Sequence, residues 1–174
     1  MSDWLKIVYN ETSSSKLNKH YKNWADEYDN SMKEWGYAYP SELKKILKSK
    51  IKLNKNIKIL DAGCGTGYVA EALKELNFKN ISGIDFSQEM LTVAKKKKIY
   101  SRLICQSLNE KLKIRSNQFE LVICTGVLTS GHVGPKAIKE LIRIIKPKGF
   151  FICSIAEAIF KKNGFQKQIE SLTH

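Results

Sequence analysis

A chain of 174 residues, 43% of them hydrophobic, is long enough for one domain with a two-sided core and too short for several. Its net charge of +13 raises a nucleic-acid partner, yet 27 of the 30 basic residues are lysines, and only Arg102, Arg115 and Arg143 could fork onto phosphates. The lysines are spread along the whole chain, which favours a solvated surface over a polyanion-binding face. Its longest apolar stretch, Gly149 to Phe160, is interrupted by Glu157 and too short to span a bilayer, and no signal-like run follows the first residues. These features predict a soluble, cytoplasmic protein without a membrane partner. Cys64, Cys105, Cys124 and Cys153 show no CxxC pairing, so packed, reduced thiols are expected and no metal site.

The first fifty residues hold all three tryptophans, Trp4, Trp24 and Trp35. After a serine cluster at 13–15, the spacing of Tyr21, Trp24, Ala25 and Tyr28 predicts a helix over 17–28. Pro40 opens a second helix, with Leu43, Ile46 and Leu47 facing inward. From residue 57 strands and helices alternate. Strands are predicted over 57–62, 80–85, 102–105, 119–124 and 150–155, with helices over 68–76, 87–97 and 135–145. Ser87 suits an N-cap, and Lys95 to Lys98 suit the negative end of the helix they close. Ile138, Leu141, Ile142 and Ile145 follow the helical rule, and Lys146-Pro147-Lys148-Gly149 stops that helix. A final helix is predicted over 158–172. Such alternation implies an α/β fold with a mostly parallel, doubly wound sheet of about five strands and helices on both faces. Ligands in such sheets bind beyond the strand C-termini, where strand order reverses. Asp61, Asp85 and the segments after Cys105 and Cys124 fall on that edge.

The segment Ile57-Lys58-Ile59-Leu60-Asp61-Ala62-Gly63-Cys64-Gly65-Thr66-Gly67 is a strand that ends on an acid and enters a glycine-rich turn ahead of a helix. Gly63, Gly65 and Gly67 allow backbone angles closed to other residues and a close approach to a ligand. This is a nucleoside-binding corner. Gly65-Thr66-Gly67-Tyr68-Val69-Ala70 fits the dinucleotide fingerprint, with Asp85 at the expected distance. Asp61 opposes that reading, because a pyrophosphate beside it would meet like charge, whereas a sulfonium and an ammonium would be attracted. Charge therefore favours S-adenosylmethionine over a nicotinamide dinucleotide.

The arrangement resembles the class I, Rossmann-like S-adenosylmethionine-dependent methyltransferases over roughly residues 20 to 172. The resemblance rests on residues 60–67, on Gly83-Ile84-Asp85-Phe86-Ser87 with Met90-Leu91, and on residues 141–150. Within that superfamily, residues 125–135 resemble the methyltransferase-like family named after the Williams–Beuren syndrome chromosome region. The resemblance implies an N-terminal helical lid over 1–50, from which Tyr28 reaches the cofactor, and a Rossmann-like methyltransferase region over 51–174 in one structural domain. It implies that Gly63, Cys64, Gly65 and Gly67 pack against the methionine part, with Asp61 favouring its cationic centre. Asp85 would accept the ribose hydroxyls, Phe86 would lie along the adenine, and Ser107 and Leu108 would border the adenine edge. Cys124 and Thr125 would border the sulfonium. In-line methyl transfer needs alignment more than a base and no metal; His132 is the one candidate for acid–base work. The expected product is S-adenosylhomocysteine, and the expected acceptor is a small molecule, since no motif of amine-methylating nucleic-acid enzymes is present. The family's C-terminal β-hairpin is expected to be missing, which leaves the fifth strand at an edge and a monomer or homodimer as the assembly. A protein that binds S-adenosylmethionine or S-adenosylhomocysteine with little turnover is the alternative.

Overall fold

A computed structural model describes residues 20, 24–49, 51, 53–129 and 132–172. Half of the helix expected over 17–28 (residues 17–19 and 21–23), together with Trp4, the serine cluster, Ser130 and Gly131, lies outside these residues. Helices α1 (Tyr28–Glu34) and α2 (Tyr39–Ser49) precede an alternating region. There follow β1 (Lys58–Ala62), α3 (Tyr68–Glu75), β2 (Asn80–Asp85), α4 (Gln88–Lys96), β3 (Arg102–Cys105), β4 (Phe119–Leu128), α5 (Lys136–Arg143) and β5 (Ile145–Ile155). Two short helices, α6 (Glu157–Phe160) and α7 (Phe165–Glu170), end the described chain.

All four strand pairings are parallel, in the order β3-β2-β1-β4-β5. The order reverses between β1 and β4, which opens a crevice at their C-terminal ends. Successive strand residues point to opposite faces, and here both faces are covered. Ile59, Ile81, Leu121 and Ile123 pack with Leu43 and Leu47 of α2 and Val69 and Leu73 of α3. Leu60, Ile84, Val122 and Cys124 pack with Ile138 and Leu141 of α5 and Phe165 of α7. Each fully covered Leu or Ile contributes about 1.5–3 kcal/mol, so the sheet centre carries most of the stability. Trp24 and Met32 form a small separate cluster beside Tyr28, Trp35, Tyr37, Tyr68 and Phe86.

Several expectations are corrected. The chain does not run helically through Tyr28; residues 25–27 form a turn, closed by the Glu27 N–H on the Trp24 carbonyl (3.1 Å), and a new helix starts at Tyr28. Ile46 and Ile142 are 36% exposed, because α2 and α5 dock through narrower stripes. Strand β4 continues four residues past Cys124 through a bulge at Gly126, whose φ is +73° and whose N–H donates to Ser154 Oγ (2.8 Å). The stop at 146–149 is an irregular stretch inside β5, where pairing skips from Phe119–Ile145 to Leu121–Phe150. The expected last helix is broken by Gly164 (φ +81°), which turns the fully buried Phe165 into the core. Cys105 is exposed rather than packed, since β3 is an outer strand.

Candidate active site

The glycine turn is fixed by the strand beside it. The N–H groups of Gly63 and Cys64 both donate to the Ile84 carbonyl, at 2.8 and 3.0 Å, which binds the turn to the end of β2. Gly63, Gly65 and Gly67 have φ of +76°, +51° and +84°. A Cβ at Gly63 would lie 2.3 Å from Val127 Cγ2, and one at Gly67 would lie 2.9 Å from the Tyr100 ring. A Cβ at Gly65 would instead project into open space. Gly65 is therefore bare toward the cavity, while its neighbours are bare for packing.

Asp85 ends β2 at the centre of the crevice, 7% exposed. Its Oδ2 accepts the Gly65 N–H and its Oδ1 accepts the Ser87 N–H, both at 2.9 Å. Ser87 in turn caps α4 by accepting the Met90 N–H (3.3 Å). Burial raises the Asp85 pKa, and these backbone donors oppose the rise. The Phe86 backbone acts on it as well, and a carboxylate with about four acceptor positions still has room for a further donor.

Asp61, 2% exposed, lies beneath the turn, and its Oδ2 accepts the Tyr100 hydroxyl (2.7 Å). Burial pushes its pKa up to about 7, the Tyr100 hydrogen bond lowers it, and the charge of Asp85 raises it further. The lid is joined to the same turn. Thr66 Oγ1, fully buried, donates to Asp29 Oδ1 of α1 (2.6 Å). Lys97 bridges Asp29 and Glu71 of α3, the latter at 2.9 Å.

These elements enclose a cavity of about 230 Å³. Of the residues singled out from sequence, Tyr28, Gly63, Gly65, Asp85, Phe86, Ser107, Leu108, Thr125 and His132 line it. Asp61, Cys64, Gly67 and Cys124 are not in its wall; all four are buried. Thr125 Oγ1 is buried with no hydrogen-bond partner among the described residues, an orphan that a ligand can satisfy. Met90, Asn109, Glu110, Gly126, Val127 and Val133 complete the wall. Asn109 ties two loops together, donating from Nδ2 to the His132 carbonyl (2.8 Å) and accepting the Gly134 N–H on Oδ1 (3.4 Å). No lysine or arginine lines the cavity among the described residues, so a pyrophosphate would lack a counter-charge. No group of three potential metal-ligating side chains occurs among the described residues, and no described helix is long and apolar enough to cross a membrane.

Sequence reasoning did not single out Asp29, Thr66, Tyr100 or Asn109, and it read Lys97 only as one of the lysines that close a helix; their contacts arise only when distant segments meet.

Residues 60–153 match the family described as a methyltransferase domain. The chain is 34% identical over 131 residues to human methyltransferase-like protein 27, covering 74% of this chain and 53% of that protein. It is 38% identical over 109 residues to malonyl-[acyl-carrier protein] O-methyltransferase of Buchnera aphidicola, covering 63% and 43%. A solved Methanococcus maripaludis protein, assigned to the S-adenosyl-L-methionine-dependent methyltransferases, superposes with a TM-score of 0.65 at 20% identity, over 87% of this chain and 76% of that one. The chain spans about half the length of these two curated relatives.

Proposed function

Because the chain belongs to the methyltransferase domain family, we propose that it binds S-adenosylmethionine at the glycine turn and transfers its methyl group to a small-molecule acceptor. The observation that carries this reading is the bond from Gly65 to Asp85. A bare backbone and a buried carboxylate thus stand side by side at the C-terminal edge of the sheet, which supports reading Asp85 as the ribose acceptor.

S-Adenosylmethionine, when bound, supplies an electrophilic methyl group on a positively charged sulfur. Asp85 accepts the ribose hydroxyls on its remaining lone pairs. Phe86 offers a flat apolar face to the adenine, and Ser107 and Leu108 border its edge. Gly65 lets the backbone approach the methionine part. Asp61, charged from beneath the turn, favours a cationic guest over its neutral product. Thr125 adds to the wall a buried hydroxyl with no partner among the described residues, which a ligand atom can engage. His132, from the loop above β4, lines the cavity and is the imidazole there that could take a proton from the acceptor. Tyr28, the residue of the proposed lid that lines the cavity, helps to exclude water, which favours alignment over hydrolysis.

The subfamily named after the Williams–Beuren region belongs to this proposal through residues 125–135, which supply Thr125, Gly126, Val127, His132 and Val133 of the wall. Incubating the protein with methyl-labelled S-adenosylmethionine and a panel of amines, phenols, thiols and carboxylic acids tests the transfer. The proposal predicts S-adenosylhomocysteine release with at least one small acceptor. Tight cofactor binding with no release across the panel would favour a pure binding protein.

A further inference from the structure

We infer that the acceptor carries a phosphate, and that this phosphate docks in a groove beside the cavity, between the 108–111 loop and α5. The inference rests on the proposal that the cavity takes S-adenosylmethionine. The cavity holds about 230 Å³, less than the roughly 300–1,000 Å³ of common ligand pockets, so the donor fills it and the acceptor must extend outward. The neighbouring groove, of about 650 Å³, shares Leu108, Asn109 and Glu110 with the cavity wall and so continues it.

Charge changes across that shared wall. The cavity presents Asp85 and Glu110 and no cation among the described residues. The groove has Lys111 on one bank and Lys136 and Lys139 on the other, all exposed. None of the three makes a direct ion pair among the described residues, whereas Lys44, Lys45, Lys96, Lys97 and Lys146 each face a carboxylate. The groove's own acid Glu140 is held by Arg143 (2.6 Å) and by the Leu112 N–H (2.7 Å) and also feels the charge of Lys111, so the exposed Glu110 is the groove acid with no ion pair among the described residues. Helix α5 has no acid in its first turn, and the exposed Ile142 supplies an apolar floor.

Three unpaired ammonium groups around an apolar floor suit a phosphate, whose several oxygens can be shared among point charges; one carboxylate could use only part of the set. Continuity with the cavity puts this anion on the same small molecule as the methylated atom. Docking of an acidic protein would need no such continuity.

An amide NMR titration with inorganic pyrophosphate at about 150 mM salt, where long-range surface attraction is largely screened, tests this. Saturable shifts confined to residues 108–111 and 134–140 are expected, with binding weakened about tenfold in Lys136→Gln/Lys139→Gln. Calorimetry of the same variant should show S-adenosylmethionine affinity unchanged. Unsaturating shifts spread over other lysines, such as Lys95 to Lys98, or unaltered binding in the variant, would overturn the inference. So would groove shifts with polyglutamate and none with pyrophosphate. The two titrations fail separately: silent calorimetry removes the methyl-transfer reading, and silent NMR removes the phosphate.

Discussion

Replacing Asp61 by Asn keeps an acceptor for the Tyr100 hydroxyl and removes a buried charge. In the native fold the Asp61 pKa is raised from 3.8 to about 7, chiefly by burial, so the folded state holds this proton more tightly than the unfolded chain does. The penalty is absent below pH 3.8, grows as pH rises toward 7, and is constant above. With one unit worth 1.36 kcal/mol, the raised pKa of Asp61 costs the unliganded protein about 1.7 kcal/mol at pH 5, where only the unfolded chain ionises it, and about 4 kcal/mol at pH 8. Urea unfolding followed by tryptophan fluorescence at both pH values should show the Asn variant gaining on the native protein by about 2.5 kcal/mol across that interval. A difference in stability that does not change with pH would mean that Asp61 bears no buried-charge penalty. It would also remove the reason for expecting a cationic guest above it.

The lid contact and the core offer separate tests. Thr66→Val removes the bond to Asp29 at unchanged volume and should cost about 1.5–3 kcal/mol in urea unfolding, with faster amide exchange over residues 24–35; unaltered exchange would show that Lys97 alone holds the lid. Phe165→Ala should cost about 3–5 kcal/mol, since Phe165 is fully buried against α5; a loss under 1 kcal/mol would mean that α7 is peripheral. Gly65→Ala should cost only about 1 kcal/mol of stability, from its positive φ, yet weaken S-adenosylmethionine binding in calorimetry about tenfold by filling the cavity. Undiminished affinity would place the ligand elsewhere.

The alternation of strands and helices, and with it a parallel sheet whose C-terminal edge takes the ligand, follows from features that are local in sequence, whereas the strand order came only with the fold. Ile59, Leu60, Ile81 and Ile84 read as strands buried on both faces, and helices of period 3.6 separate them. The glycine turn was equally legible, because Asp61 and three alternating glycines stand together. What escaped depends on tertiary context. Gly126 looks like a turn residue, but Ser154 satisfies its N–H and lets β4 continue. Gly164 breaks a helix only because Phe165 has a core to enter. Tyr100 lies in an unpatterned stretch before β3, and its role comes from the space left by Gly67 and Gly83, where its ring would meet any added Cβ at 2.9 Å. Asp61 read as a residue facing the ligand; in the fold it sits below the turn, held by Tyr100, so its influence passes through the loop.

Binding of S-adenosylmethionine by isothermal calorimetry, with the native protein and Asp85→Asn compared, bears most directly on the cofactor site. One ligand per chain is expected, with affinity falling about 10- to 100-fold in the variant, as loss of charge-assisted hydrogen bonds to the ribose requires. No heat at millimolar ligand, or equal affinity in both proteins, would contradict a cofactor site built on Asp85 and the glycine turn.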